Sequence, residues 1–135
     1  MKQVPRIGLS GQQVITVGPE NRIRFADEQM PAVLATPFLI AHLEYAARDA
    51  LAPCLEDHER SVGTMVDVEH LAPVPEGFTV TCRARVIHVA GPIVTFQVDA
   101  HDGVEPVARG IHKRSVIDVD RFARRVERKR GRSGA

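Results

Sequence analysis

Several kinds of functional site are missing from this chain. Its 135 residues include two cysteines, Cys54 and Cys82, too few for a disulfide framework, and no CxxC or Cys/His spacing suits a metal ion. No apolar run approaches the roughly 18 residues of a membrane-crossing helix. The opening M-K-Q-V-P-R-I-G has no apolar core of the secretory type. GxGxxG, P-loop and nucleophile-elbow motifs are absent, as is any internal repeat. A reducing cytoplasm is the expected compartment.

What is there describes an ordinary globular protein, 44% hydrophobic and 26% charged, long enough for one domain with a real core. The net charge of +1 conceals an asymmetry. Residues 121–135 hold seven Lys/Arg against Glu127 alone, leaving 11 basic and 16 acidic residues in positions 1–120, a net of −5. The division expected is one domain over residues 1–122 and a flexible basic tail over 123–135.

The chain is organised around the stretch from Ala35 to Leu55. Thr36 can serve as N-cap and Pro37 suits the first helical position. Leu39, Ile40, Leu43, Ala46, Ala47, Ala50 and Leu51 share one face at the 3.6-residue period, and Pro53 ends the helix. Glu44 projects from the flank of that apolar stripe. Taken alone it is a rim carboxylate paired with Arg48 at i,i+4, worth roughly 0.2–0.5 kcal/mol. Before the helix, residues 1–13 read as loosely ordered. Val14, Ile15 and Val17 suggest a short strand, and residues 22–34 an irregular segment, a candidate flap.

After the helix the period changes from 3.6 to 2. Val62, Thr64, Val66, Val68 and His70 share one parity; Gly63, Met65, Asp67 and Glu69 share the other. Ala72–Gly77 is a turn. Two alternating strands follow, over Phe78–Ala90 and Val94–Ala100, joined at Gly91-Pro92, and a last strand spans Val104–Val119 with Gly110 suited to a bulge or a close approach. One long apolar-faced helix with antiparallel strands joined by tight turns is an α+β layer arrangement, and a sheet wrapped round a single central helix is the hot-dog architecture.

Three polar groups stand out: Thr36 at the helix start, Glu44 on its flank and His70 on the valine face, spaced 8 and then 26 residues apart. Together with A-T-P-F-L-I-A-H-L-E-Y-A-A-R-D-A-L, S-V-G-T-M-V-D-V-E-H-L-A and G-I-H-K-R-S-V-I-D, they make the chain resemble the fluoroacetyl-CoA thioesterase group of the hot-dog superfamily over roughly Pro31–Phe122. The resemblance implies Thr36, Glu44 and His70 as catalytic residues, Gly63 and Arg114 as further residues of the site, a homodimer, and an acyl-CoA substrate whose pantetheine arm enters between subunits. It implies no metal and no bound cofactor, coenzyme A arriving with the substrate. The fluoroacetyl-specific member has a phenylalanine-rich lid before the helix. Here Arg24–Pro31 offers only Phe25 and Met30, which leaves Met30 as the candidate substrate contact and weakens the case for a fluorinated acyl group.

The chemistry is arguable from the residues themselves. Thioester hydrolysis needs an attacking oxygen, a proton carrier and a stabilised oxyanion. His70 suits the proton, its ordinary pKa of about 6.5 lying near neutrality. Glu44 is either a nucleophile, through a transient anhydride, or a base that aims water. Thr36 can bond Glu44 or the thioester oxygen, the Gly63 N–H can serve an oxyanion, and Arg114 can meet the acyl end or orient a carboxylate. Taken singly, Thr36 is a plain cap, His70 a core-edge histidine, Gly63 a strand irregularity and Arg114 a solvated strand residue; His112 shares Arg114's parity without an assigned role. The joint pattern favours a site. The rival functions are a hot-dog enoyl-CoA hydratase, whose Asp/His motif is missing, and a non-catalytic acyl-CoA sensor. The basic tail reads first as a solvated extension, then as a holder of coenzyme A phosphates or an anionic surface. Nucleic acid has least support, since the tail lacks interleaved aromatics, and no membrane partner is expected.

Overall fold

The structure, a computed structural model, describes residues 1–133. Five antiparallel strands form one sheet in the order β1-β3-β4-β5-β2. The strands are β1 (Ser10–Thr16), β2 (Glu59–His70), β3 (Thr79–Ala90), β4 (Ile93–His101) and β5 (Pro106–Asp118). Helix α1 (Thr36–Leu51) touches all five, so the sheet wraps around it in the expected hot-dog arrangement. Leu39, Leu43, Ala46, Ala47, Ala50 and Leu51 of α1 are buried against Val80, Cys82, Ala84 and Val86 of β3 and Val94, Phe96, Val98 and Ala100 of β4. The two periodicities read from sequence thus meet as one core. Both cysteines are free and buried. Burial pushes the Cys82 thiol up to about 12, so it stays protonated and unreactive at neutral pH.

Four expectations are corrected. The N-cap is Ala35, without a side-chain cap bond; Thr36 is the first helical residue, its hydroxyl directed elsewhere. Residues 1–13 are tied down rather than loose. Lys2 N–H bonds Cys54 O at 2.8 Å, the N-terminal ammonium meets Glu59 at 3.0 Å, and Ser10–Gln13 already belong to β1. The Ala72–Gly77 turn does not make a hairpin, because β2 pairs with β5 and not with β3. That connection crosses the sheet end, stitched to the segment before α1 by Leu34 N–H to Val74 O and Gly77 N–H to Val17 O. Pro73 and Pro75 withhold the donors a tight hairpin needs. Lastly, strict alternation fails in β2: the register slips between Gly63 and Met65, so Thr64 is a bulge and one face carries Gly63, then Val66, Val68 and His70.

Two glycines are explained by close approach. A Cβ on Gly110 would run into the Asp67 carbonyl and stand 2.7 Å from Val68 Cα on the neighbouring β2. Gly63 is treated below. The basic tail forms a second helix, α2 (Val119–Ser133), so the boundary expected at residue 122 falls inside it. The last two residues of the expected tail lie outside the described residues. Asp118 Oδ1 accepts the Arg121 N–H at 3.0 Å, an N-cap that starts α2 where β5 ends.

Candidate active site

The helix start faces the end of β2. Thr36 Oγ1 lies 2.7 Å from His70 Nδ1, which explains why the threonine hydroxyl does not cap its own helix. His70 Nε2 is buried and has no hydrogen-bond partner among the described residues, a ring nitrogen free for another group. Phe38 and Leu39 N–H both donate to Ala35 O and Pro37 has no N–H. The helix start therefore presents fewer free donors than the four of an ordinary first turn.

Two turns along α1, Glu44 meets a different set of partners. Its Oε2 lies 3.4 Å from Arg114 Nη1 and 3.9 Å from His112 Nε2. A Cβ on Gly63 would stand 2.5 Å from that same oxygen and 3.2 Å from His112 Cε1. Only glycine leaves the carboxylate room, and the bulge at Thr64 turns Gly63 towards it. The rim pairing with Arg48 that the helix taken alone suggests is not formed: Arg48 lies 3.9 Å from Asp49 and over the Tyr45 ring.

Arg114 is buried, and its guanidinium is fully directed. Nε donates to Ser61 Oγ at 2.9 Å, Nη2 to Ser61 O at 2.8 Å, and Nη1 reaches Glu44 and His112. Burial holds its pKa below the ordinary value, opposed by Glu44. His112, unassigned in the sequence reading, is the buried hinge of this group. Its Nδ1 lies 2.8 Å from Met65 O, a carbonyl that only accepts, so Nδ1 carries the proton. Its Nε2 then accepts from Arg114 Nη1 at 3.2 Å. Burial lowers the His112 pKa first, and Arg114 adds to that, against the raising effects of Met65 O and Glu44. The ring is neutral, and its 3.9 Å approach to Glu44 is not an ion pair. The signal in sequence was its shared parity with Arg114, two residues on.

The structure thus brings Thr36 to His70, and Glu44 to Gly63 and Arg114. Within the protomer no hydrogen bond joins the two groups among the described residues. Eight residues of helix separate Thr36 from Glu44, about 12 Å along the axis. Between them the same face of β2 presents Val66, 41% exposed. Met30 lies in a turn before α1, where Asp27 Oδ1 accepts the N–H groups of Gln29 and Met30. Its side chain is 38% exposed, and Phe25 nearby is 68% exposed.

A fluoroacetyl-CoA thioesterase of Streptantibioticus cattleyicolor is 36% identical over 137 residues, covering 96% of this chain and 97% of that one. A mutant of the fluoroacetyl-CoA thioesterase FlK, solved in complex with acetyl-CoA, superposes with a TM-score of 0.84 at 35% identity, over 92% of this chain and 98% of the other. A Thermus thermophilus protein described as a thioesterase superfamily member gives 0.89 at 26% identity, over 98% of both. Residues 17–120, from the end of β1 to the start of α2, match the family FlK, fluoroacetyl-CoA-specific thioesterase. By that match and by the fold that carries it, the chain belongs to the fluoroacetyl-CoA-specific thioesterase family.

Proposed function

We propose that this protein is an acyl-CoA thioesterase that hydrolyses a short-chain acyl-CoA to the free acid and coenzyme A. The observation that carries the reading is the Thr36–His70 contact of 2.7 Å, with the second imidazole nitrogen buried and unspent. A histidine held by one nitrogen and bare at the other is poised to pass a proton. In hydrolysis an oxygen attacks the thioester carbon, the carbonyl becomes an oxyanion, and the C–S bond breaks to release a thiolate that takes up a proton. His70 supplies that proton. Glu44, its charge balanced by Arg114, delivers the oxygen. As a base it takes the proton of the attacking water. As a nucleophile it forms a mixed anhydride that a water then opens, giving its proton to the now neutral His70 and releasing the free acid and the Glu44 carboxylate. The Gly63 N–H and the Thr36 hydroxyl are the donors for the oxyanion.

A homodimer belongs to this reading. β2 is an edge strand, Val66 on its helix-side face is half-exposed, and Glu44 stands about two helix turns from Thr36, the partner of His70. A second copy laid along β2 covers the valine and the open edge and brings the two polar groups across the interface, with the pantetheine arm entering between subunits. No described helix is long and apolar enough to cross a membrane; a cytoplasmic location follows the reading of the cysteines. Because the segment before α1 offers Phe25 and Met30 in place of a phenylalanine pair, plain short acyl groups suit the protein at least as well as fluoroacetyl.

Thiol release from a panel of acetyl-, propionyl-, butyryl- and fluoroacetyl-CoA tests the proposal. Turnover with at least one is expected. Tight binding without turnover would make the protein a sensor, and hydration of enoyl-CoA without thiol release would make it a hydratase.

A further inference from the structure

Helix α2 places its charges unevenly. Arg121, Arg124, Arg125, Arg128 and Arg132 recur at i, i+3, i+4, i+7 and i+11, so they form one stripe, with Asp120 and Glu127 on one flank of it, about 100–120° round the helix from its centre. Like charges at i,i+4 oppose a helix, so the stripe is a standing electrostatic cost within the protomer. Beside it runs a second stripe, Val119, Phe122 and Val126, each more than a third exposed. Between α2 and the end of β5 lies a groove of about 490 Å³, walled by Val116, Ile117 and Phe122 and by the guanidiniums of Arg121, Arg124, Arg125 and Arg128. One carboxylate, Asp118, also lines it, with Oδ1 engaged as the cap of α2 and Oδ2 3.9 Å from His58.

Four guanidiniums around a hollow with an exposed aromatic wall fit a ligand that joins several phosphate charges to a flat ring. The groove is placed for such a ligand. It opens at Val116, two residues along β5 from Arg114, whose guanidinium touches Glu44. From Arg114 to Asp118 is four residues of strand, about 13 Å. A pantetheine arm has a backbone of about twelve bonds, the contour of about four extended residues, or about 14 Å.

We propose that the α2 groove is the seat of the phosphorylated nucleotide of coenzyme A, with Arg121, Arg124, Arg125 and Arg128 on the diphosphate and 3′-phosphate and Phe122 against the adenine. The proposal rests on the thioesterase reading for the identity of the ligand, and on α2 itself for the site.

The test uses the full chain and the triple variant Arg124→Ala/Arg125→Ala/Arg128→Ala, with circular dichroism to show that both are folded. Adenosine 3′,5′-bisphosphate titrated by calorimetry is expected to bind the wild type and to lose at least tenfold in affinity in the variant. In turnover, the KM for acetyl-CoA is expected to rise at least tenfold, while that for acetyl-pantetheine, which lacks the nucleotide, moves less than twofold. Equal KM changes for both substrates, or none for acetyl-CoA, would overturn the site. So would a random single-stranded oligonucleotide that binds the wild type more tightly than the bisphosphate and is lost in the variant. Should the protein release no thiol from any acyl-CoA, the thioesterase reading falls, and the bisphosphate titration still decides the groove. A variant that unfolds is replaced by Phe122→Ala with Arg125→Gln, read in the same two ways.

Discussion

The carboxylate of Glu44 is held by groups from two strands and by none from its own helix. Arg114 balances its charge, His112 fixes Arg114, and the bare Cα of Gly63 leaves it space. Gly63→Ala should therefore displace the carboxylate and press only slightly on the His112 ring, lowering kcat/KM at least tenfold with a smaller effect on the urea midpoint. Glu44→Gln and His70→Ala should each lower kcat by about 10² or more, the range expected for a lost acid–base or nucleophilic group. Near-wild-type rates in both folded variants would remove the site assignment. His112 gives a pH signature. Its folded pKa lies below the ordinary value because burial disfavours the charged ring, so the unfolded chain binds the extra proton first. The stability this contributes is fully present above about pH 6.5 and is lost as pH falls from there through the folded value. Urea denaturation of wild type and His112→Asn at pH 7.5 and 5 should show a gap that shrinks at the lower pH; the asparagine keeps a donor for Met65 O.

At the scale of elements, α1 is the part on which everything is set. Leu43 is 2% exposed at its centre, so Leu43→Ala should cost about 2–5 kcal/mol in denaturant unfolding. β2 is held by its fit to β5, closest at Gly110. Gly110→Ala forces a methyl into the Asp67–Val68 backbone, an overpacking cost of about 1–3 kcal/mol by the same measurement. That change would also disturb the strand carrying both Gly63 and His70, so thiol release should fall with stability. An unchanged unfolding midpoint would contradict the close approach.

For the whole molecule, the separation between Glu44 and the Thr36–His70 pair is the governing fact. A single copy divides the proposed machinery between the two ends of one face; in the proposed dimer a second copy on the β2 edge would reunite it. Sedimentation at micromolar concentration should therefore give about twice the 14.9 kDa of one chain, and dilution to monomer should abolish thiol release. Full activity in a demonstrated monomer would overturn the dimeric site.

Sequence alone determined the helix, its buried face and the inward parities of β3 and β4, and it named the residues of the candidate site, because each is a local periodicity or a motif of fixed spacing. The tertiary structure decided the rest. Strand order, the crossing from β2 to β3, and the bulge that turns Gly63 to the same side as His70 depend on which strands find each other across the sheet, and pairing over such distances leaves no local period to read. Ala35, not Thr36, caps α1 because the Thr36 hydroxyl is nearer His70, a residue 34 positions away. His112 was visible only as a parity; its role emerged when folding buried it between Met65 O and Arg114, where neutrality is favoured and one tautomer is required.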